Sequence, residues 1–209
     1  MNNSIFKYLF LTVIFILITE VTNNALQIDY LLQRHLLKIL SLEQANSYIS
    51  FHQKWYWLTY LFIPIIIFIK ISIITVTLHV CLLLSARNLK FSKIWNIVLN
   101  AEFLFLFVFI FKIIWFLFFQ STYTLSDVQN FYPLSALNIV GYNNLEPWYI
   151  YPLQTLNLFE FAYIIYIGFQ IGQITNTNTD YGLKIVAISY VPTLLLWIVT
   201  VMFFTLNYS

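Results

Sequence analysis

The run WYWLTYLFIPIIIFIKISIITVTLHVCLLLSA, residues 55–86, decides the fold. Lys70 and His79 are the only basic side chains in this mainly apolar and aromatic stretch, which holds no acidic residue and no glycine. A hydrocarbon core of roughly 30 Å is crossed by about 20 residues of helix, so this stretch is long enough to span a bilayer with residues to spare. The excess predicts a tilted helix, a bend at Pro64 or an extension beyond the lipid.

Moving outward from that run, the same reading gives four more spans, at about 5–22, 94–119, 152–174 and 184–206. The chain of 209 residues is 61% hydrophobic and 9% charged, with a mean hydropathy of +0.81. A water-facing shell cannot be assembled from so few charges, so lipid replaces water over most of the surface. The expected architecture is therefore all-α, a polytopic membrane helix bundle of about five transmembrane helices forming a single transmembrane domain over residues 1–209. The first run lacks an A-x-A-like cleavage site after it and is read as an uncleaved span rather than a secretory signal. A net charge of +2 from ten scattered basic residues leaves no nucleic-acid footprint. The one cysteine, Cys81, excludes an intramolecular disulfide and argues against a cysteine metal site.

Two segments outside the spans have helical character. Residues 25–40 place Gln27, Arg34 and Lys38 on one stripe and Ile28, Leu32, Leu36 and Ile39 on another, which suits a helix along the membrane surface or on the rim of the bundle. Residues 126–141 open with a helix start at Ser126 or Asp127, are cut by Pro133, and end at Gly141. This is the profile of an interfacial cap. With the N-terminus in the cytoplasm, Lys7, Arg87, Lys90, Lys93 and Lys184 fall inside and Arg34, Lys38 and Lys54 outside, as the positive-inside rule prefers. Trp55, Trp57 and Trp148 then lie near outer span ends, and the C-terminus is outside. The expected location is a bacterial cytoplasmic (inner) membrane.

Five of the ionisable residues inside the spans are the candidate functional groups: Lys70, His79, Glu102, Lys112 and Glu160. A charged side chain at mid-bilayer costs about 2.5–3.5 kcal/mol on insertion scales unless it is paired, hydrated or neutral. Counted from the cytoplasmic span ends, Lys70, Lys112 and Glu160 come to roughly 25, 28 and 21 Å, a shared layer in which Glu160 can bridge either lysine. Counted from Arg87 and Lys93, His79 and Glu102 come to roughly 12 and 14 Å and form a second expected pair, with structural hydrogen bonding as one reading and catalysis or proton transfer as the other. The lysines have a plainer alternative in snorkelling to the outer headgroups. Gly168 and Gly172 form a G-x-x-x-G surface for close helix approach, within the bundle or between two copies.

The stretches FYPLSALN (131–138), YPLQTLNLFE (151–160), Phe91-Ser92-Lys93-Ile94-Trp95 and KIVAISYVP (184–192) resemble small uncharacterised polytopic membrane proteins of Bacteroidota in the Yip1-like superfamily. The resemblance covers most of residues 75–206. It implies a five-helix fold with a cytoplasmic N-terminus and brings no catalytic residue with it. Two departures stand against it: the basic loop lacks a glycine pair, and no long soluble region precedes the first span.

Enzymatic signatures are missing. There is no H-E-x-x-H helix, no G-x-S-x-G elbow and no phosphate loop, and His35, His52 and His79 lack ligand spacing. The sequence thus predicts no catalytic residues, no cofactor and no metal. The expected function is a non-enzymatic membrane subunit, a scaffold or accessory protein of a cell-envelope complex, with the lipid bilayer and membrane proteins as partners. The alternative is a small transporter or channel using the Lys70, Lys112 and Glu160 layer.

Overall fold

The computed structural model describes residues 2–143 and 145–208. Among the described residues it is all-α, with ten helices when the apolar run 91–119 is counted as one. These are α1 (Asn2–Ala25), α2 (Ile28–Ile39), α3 (Leu42–Trp55), α4 (Trp57–Leu84), α5 (Phe91–Phe119), α6 (Leu125–Asn130), α7 (Ala136–Val140), α8 (Pro147–Thr155), α9 (Leu158–Ile174) and α10 (Thr179–Tyr208). Four of them, α1, α4, α5 and α10, are long and apolar enough to cross a membrane. Their surfaces carry rows of exposed Ile, Leu, Phe and Val that only lipid or another apolar surface can cover. The chain is a multi-pass membrane protein.

Helix α4 runs unbroken through Pro64 for 28 residues, about 42 Å at 1.5 Å per residue. Helix α5 is less regular. Its α-helical ladder tightens to a 3₁₀ turn at Phe103–Phe105 and widens to a π-turn at Trp115–Phe119.

The expected fourth span, 152–174, is not one helix. It is divided into α8 and α9 at Leu156-Asn157, where Leu156 leaves helical geometry and Asn157 is extended. The physical reason lies in local capping. The Asn157 side chain accepts the Glu160 backbone N–H at 2.8 Å and donates to the carbonyls of Gln154 (2.9 Å) and Thr155 (3.0 Å), so one residue ends a helix and starts the next. The opened backbone would otherwise present bare polar groups. Instead Ala136 N–H donates to Leu156 O at 2.8 Å and Leu158 N–H to Leu134 O at 3.2 Å, splicing residues 134–136 across the break. Ser135 and Asn157, paired in a β-bridge, are 2% and 3% exposed. Interrupted backbone within apolar surroundings persists when other protein groups satisfy it in this way.

The packing divides into two compact units, residues 1–68 with 109–130, and residues 69–108 with 131–209. In the first, the Tyr8 hydroxyl donates to Pro64 O at 2.6 Å, Phe15 meets Phe109 edge-on, and Leu11, Leu26 and Ala45 are fully buried. Helix α3 was not among the expected elements. A reciprocal capping box between Ser41 and Gln44 starts it. In the second unit the closest packing is between α9 and α10. A Cβ on Gly182 would stand 1.8 Å from Gly168 O and 2.8 Å from Gly172 N, so the bare glycine of α10 makes room for the backbone of α9, while Cβ atoms on Gly168 and Gly172 would press on Leu183 and on Asn178 O. Gly168 and Gly172 thus serve a contact inside this unit.

Candidate functional site

The second unit gathers ionisable and phenolic side chains from four helices. Glu102, on α5, is 2% exposed. Its two carboxylate oxygens have separate partners: Oε2 accepts from Lys70 Nζ of α4 at 2.8 Å, and Oε1 accepts from the Tyr163 hydroxyl of α9 at 2.9 Å. The Lys70 ammonium also lies over the Phe105 ring, 3.9 Å from its centroid, and 5.5 Å from the centroid of Tyr163. Phe105 belongs to the 3₁₀ turn that directly follows Glu102, so the same short segment supplies the carboxylate and one of the rings. Tyr163 is fully buried and packs against Phe105 (5.2 Å) and Tyr190 (5.5 Å). The Tyr190 hydroxyl in turn donates to Glu160 Oε1. Lys70, Glu102, Tyr163, Tyr190 and Glu160 therefore form one continuous cluster of hydrogen bonds and ring contacts.

This arrangement re-pairs the residues that the sequence singled out. Glu160 meets neither Lys70 nor Lys112 in an ion pair but takes the Tyr190 hydroxyl. The break in the helix explains why. Glu160 sits in the first turn of α9 rather than in the middle of a long span, where a carboxylate is favoured by the exposed N–H groups and the dipole of the helix start. His79 does not pair with Glu102; its ring lies against Phe91 at 5.7 Å. Residue levels account for this. His79 is five residues from the end of α4 and Glu102 eleven from the start of α5, about 8 and 17 Å along antiparallel helices, whereas Lys70 lies about 21 Å along and has a stem that covers the difference. Lys112 belongs to the first unit and makes no ion pair among the described residues. Thr75 Oγ1, His79 Nδ1 and Tyr181 Oη are buried without hydrogen-bond partners among the described residues.

Three residues of functional interest escaped the sequence reading. Tyr163 and Tyr190 were passed over because tyrosines are abundant in this chain and carry no charge to flag them. Glu20 was passed over although it falls inside the first span. It accepts the Tyr60 hydroxyl at 2.6 Å and the Tyr56 hydroxyl at 3.4 Å, and Asn23 donates to Tyr56. The cover over the helix break adds Tyr132, whose phenol burial holds above its ordinary range, with Glu160 acting in the same direction. Among the described residues no three His, Cys, Asp or Glu side chains converge as a metal site.

Chemically, the cluster can hold a carboxylate in apolar surroundings, bind a cation through charge and ring faces, and keep two helices in register with a third. No protein-family model matches the chain, and no curated protein or solved structure matches it.

Proposed function

We propose that this protein is a non-enzymatic membrane subunit, a scaffold or accessory component of a cell-envelope complex in a bacterial cytoplasmic membrane. The observation that carries this reading is the contrast between its inside and its outside. The carboxylates of the cluster are met by other members of it, Glu102 by Lys70 and Tyr163 and Glu160 by Tyr190. What the surface offers is apolar. In the first unit Ile14, Leu17, Ile18 and Val21 of α1 and Ile110, Ile113 and Ile114 of α5 line a groove of about 380 Å³ with no polar side chain in it. A partner's apolar helix is the occupant this groove supports, because close packing of aliphatic side chains is what drives association between helices in lipid. The test places a photo-crosslinking amino acid at Leu17 or Ile110 in native membranes. A discrete protein adduct is expected; labelling of lipid alone would refute the reading.

A small transporter or channel is the second reading, favoured by the helix break beside Glu160 and by the connected groups from Lys70 to Glu160, since interrupted helices line substrate sites in many transporters. Proteoliposomes lacking proton or ion flux, with no change on Glu160→Gln, would remove it. A cytoplasmic N-terminus with the C-terminus outside requires an odd number of crossings. Helix α9, about 26 Å long over 17 residues, must then cross together with α8, and reporter fusions at the two termini must report opposite sides.

A further inference from the structure

We propose that Glu102, Phe105 and Tyr163 constitute a binding site for a primary ammonium cation, self-ligated by the Lys70 side chain. The site is complete without α4. Its carboxylate oxygen comes from α5, one ring face comes from the adjoining 3₁₀ turn of α5, and the second ring and the hydroxyl that fixes the carboxylate come from α9. The Phe105 and Tyr163 rings are 5.2 Å apart and inclined by 44°, so they form two walls of a corner with Glu102 Oε2 at its third side. This is the chemistry that recognises an ammonium group: one charge-assisted hydrogen bond and two electron-rich faces.

Burial separates the receptor from its ligand. Glu102 and Tyr163 are 2% and 0% exposed and are held by packing, whereas the Lys70 side chain is 39% exposed and reaches in from an open flank. Lys70 therefore behaves as an ammonium ion on a four-carbon tether. Removing the tether leaves the carboxylate, the rings and the volume of the arm in place. That volume matches a short linear alkylammonium. In the native chain such an amine competes with a tethered cation whose effective concentration is in the millimolar range or above, so the native site stays closed to dilute amines. This inference is independent of the scaffold reading and concerns a site that the scaffold does not require.

The test uses the full chain, the Lys70→Ala variant and the Lys70→Ala/Glu102→Gln variant in phosphatidylcholine nanodiscs, a lipid without a primary amine. Melting is followed while n-butylammonium chloride is titrated against sodium chloride and tetramethylammonium chloride at equal ionic strength. Saturable recovery of at least half the lost melting temperature is expected in Lys70→Ala with n-butylammonium alone. The native chain and the double variant should not respond. No recovery in Lys70→Ala, or equal recovery in all three proteins, overturns the proposal. Should Lys70→Ala fail to survive extraction, n-butylammonium is supplied from growth through purification and folded yield is the readout. Yield rescued in the single but not the double variant supports the site, and a yield that stays unrescued in the single variant overturns it.

Discussion

Glu20 in the first unit and Glu102 in the second are both carboxylates on apolar helices, and they are neutralised in different ways. Glu20 lies in the penultimate turn of α1, half-buried, and its donors among the described residues are neutral, the hydroxyls of Tyr60 and Tyr56 and the Asn24 amide. Glu102 is eleven residues into α5, almost wholly enclosed, and takes a cation as well as a hydroxyl. Position along the helix sets the requirement. A carboxylate near a helix end can keep part of its hydration, whereas one enclosed among apolar side chains needs compensating charge. Glu160 offers a third solution, with one hydroxyl and the start of a helix.

The largest effect is expected where the second unit loses its frame while its charges stay untouched. Gly182→Ala puts a methyl group onto the backbone of Gly168, which cannot step aside as a side chain can. The loss should exceed the roughly 1–3 kcal/mol of ordinary overpacking and appear as failure of the folded protein to survive size-exclusion chromatography. If the variant melts like the native chain, the α9–α10 contact is not what holds Tyr163 and Tyr190 in place.

Next in size is removal of the cation. Lys70→Met keeps the stem and strips the charge from a carboxylate that stays buried. A loss of about 2–4 kcal/mol is expected, discounted from the 3–5 of a fully enclosed pair because the Lys70 flank is open. Tyr163→Phe removes one neutral donor from the same carboxylate and should cost about 1–2 kcal/mol. Glu20→Gln keeps an acceptor for Tyr60 and should stay within about 1 kcal/mol. Thermal melting in one detergent checks all three. A Glu20→Gln loss equal to that of Lys70→Met would erase the distinction between the two units.

The spans were legible because apolar runs of this length have few other uses, and α1, α4, α5 and α10 follow them closely. The helix break was not, because Leu156 and Leu158 continue the apolar pattern on either side of Asn157. A signal was nevertheless present: Asn157 with Glu160 three residues later has the form of a helix start. Ser41 with Gln44 announced α3 in the same way. The charged members of the cluster, Lys70, Glu102 and Glu160, were legible, since each charged residue in a span must be accounted for energetically, whereas His79 and Lys112, singled out on the same ground, lie outside it. The partners were not legible. Counting levels from the flanking basic residues instead of the true helix ends set His79 opposite Glu102, and a continuous fourth span put Glu160 at mid-helix. Tyrosine partners carry no such warning, so Tyr163 and Tyr190 emerge only from the packing of α5, α9 and α10.

Lys70 and Glu102 act, on this view, as one unit in compensating a buried charge. A double-mutant cycle of Lys70→Met, Glu102→Gln and the combined variant, read as unfolding free energy in a single detergent, addresses it most directly. The combined variant should be more stable than the sum of the single losses predicts, by about 1.5 kcal/mol or more. Losses that simply add would mean that the two side chains stabilise the protein independently, and the pairing would not be what allows Glu102 to be buried.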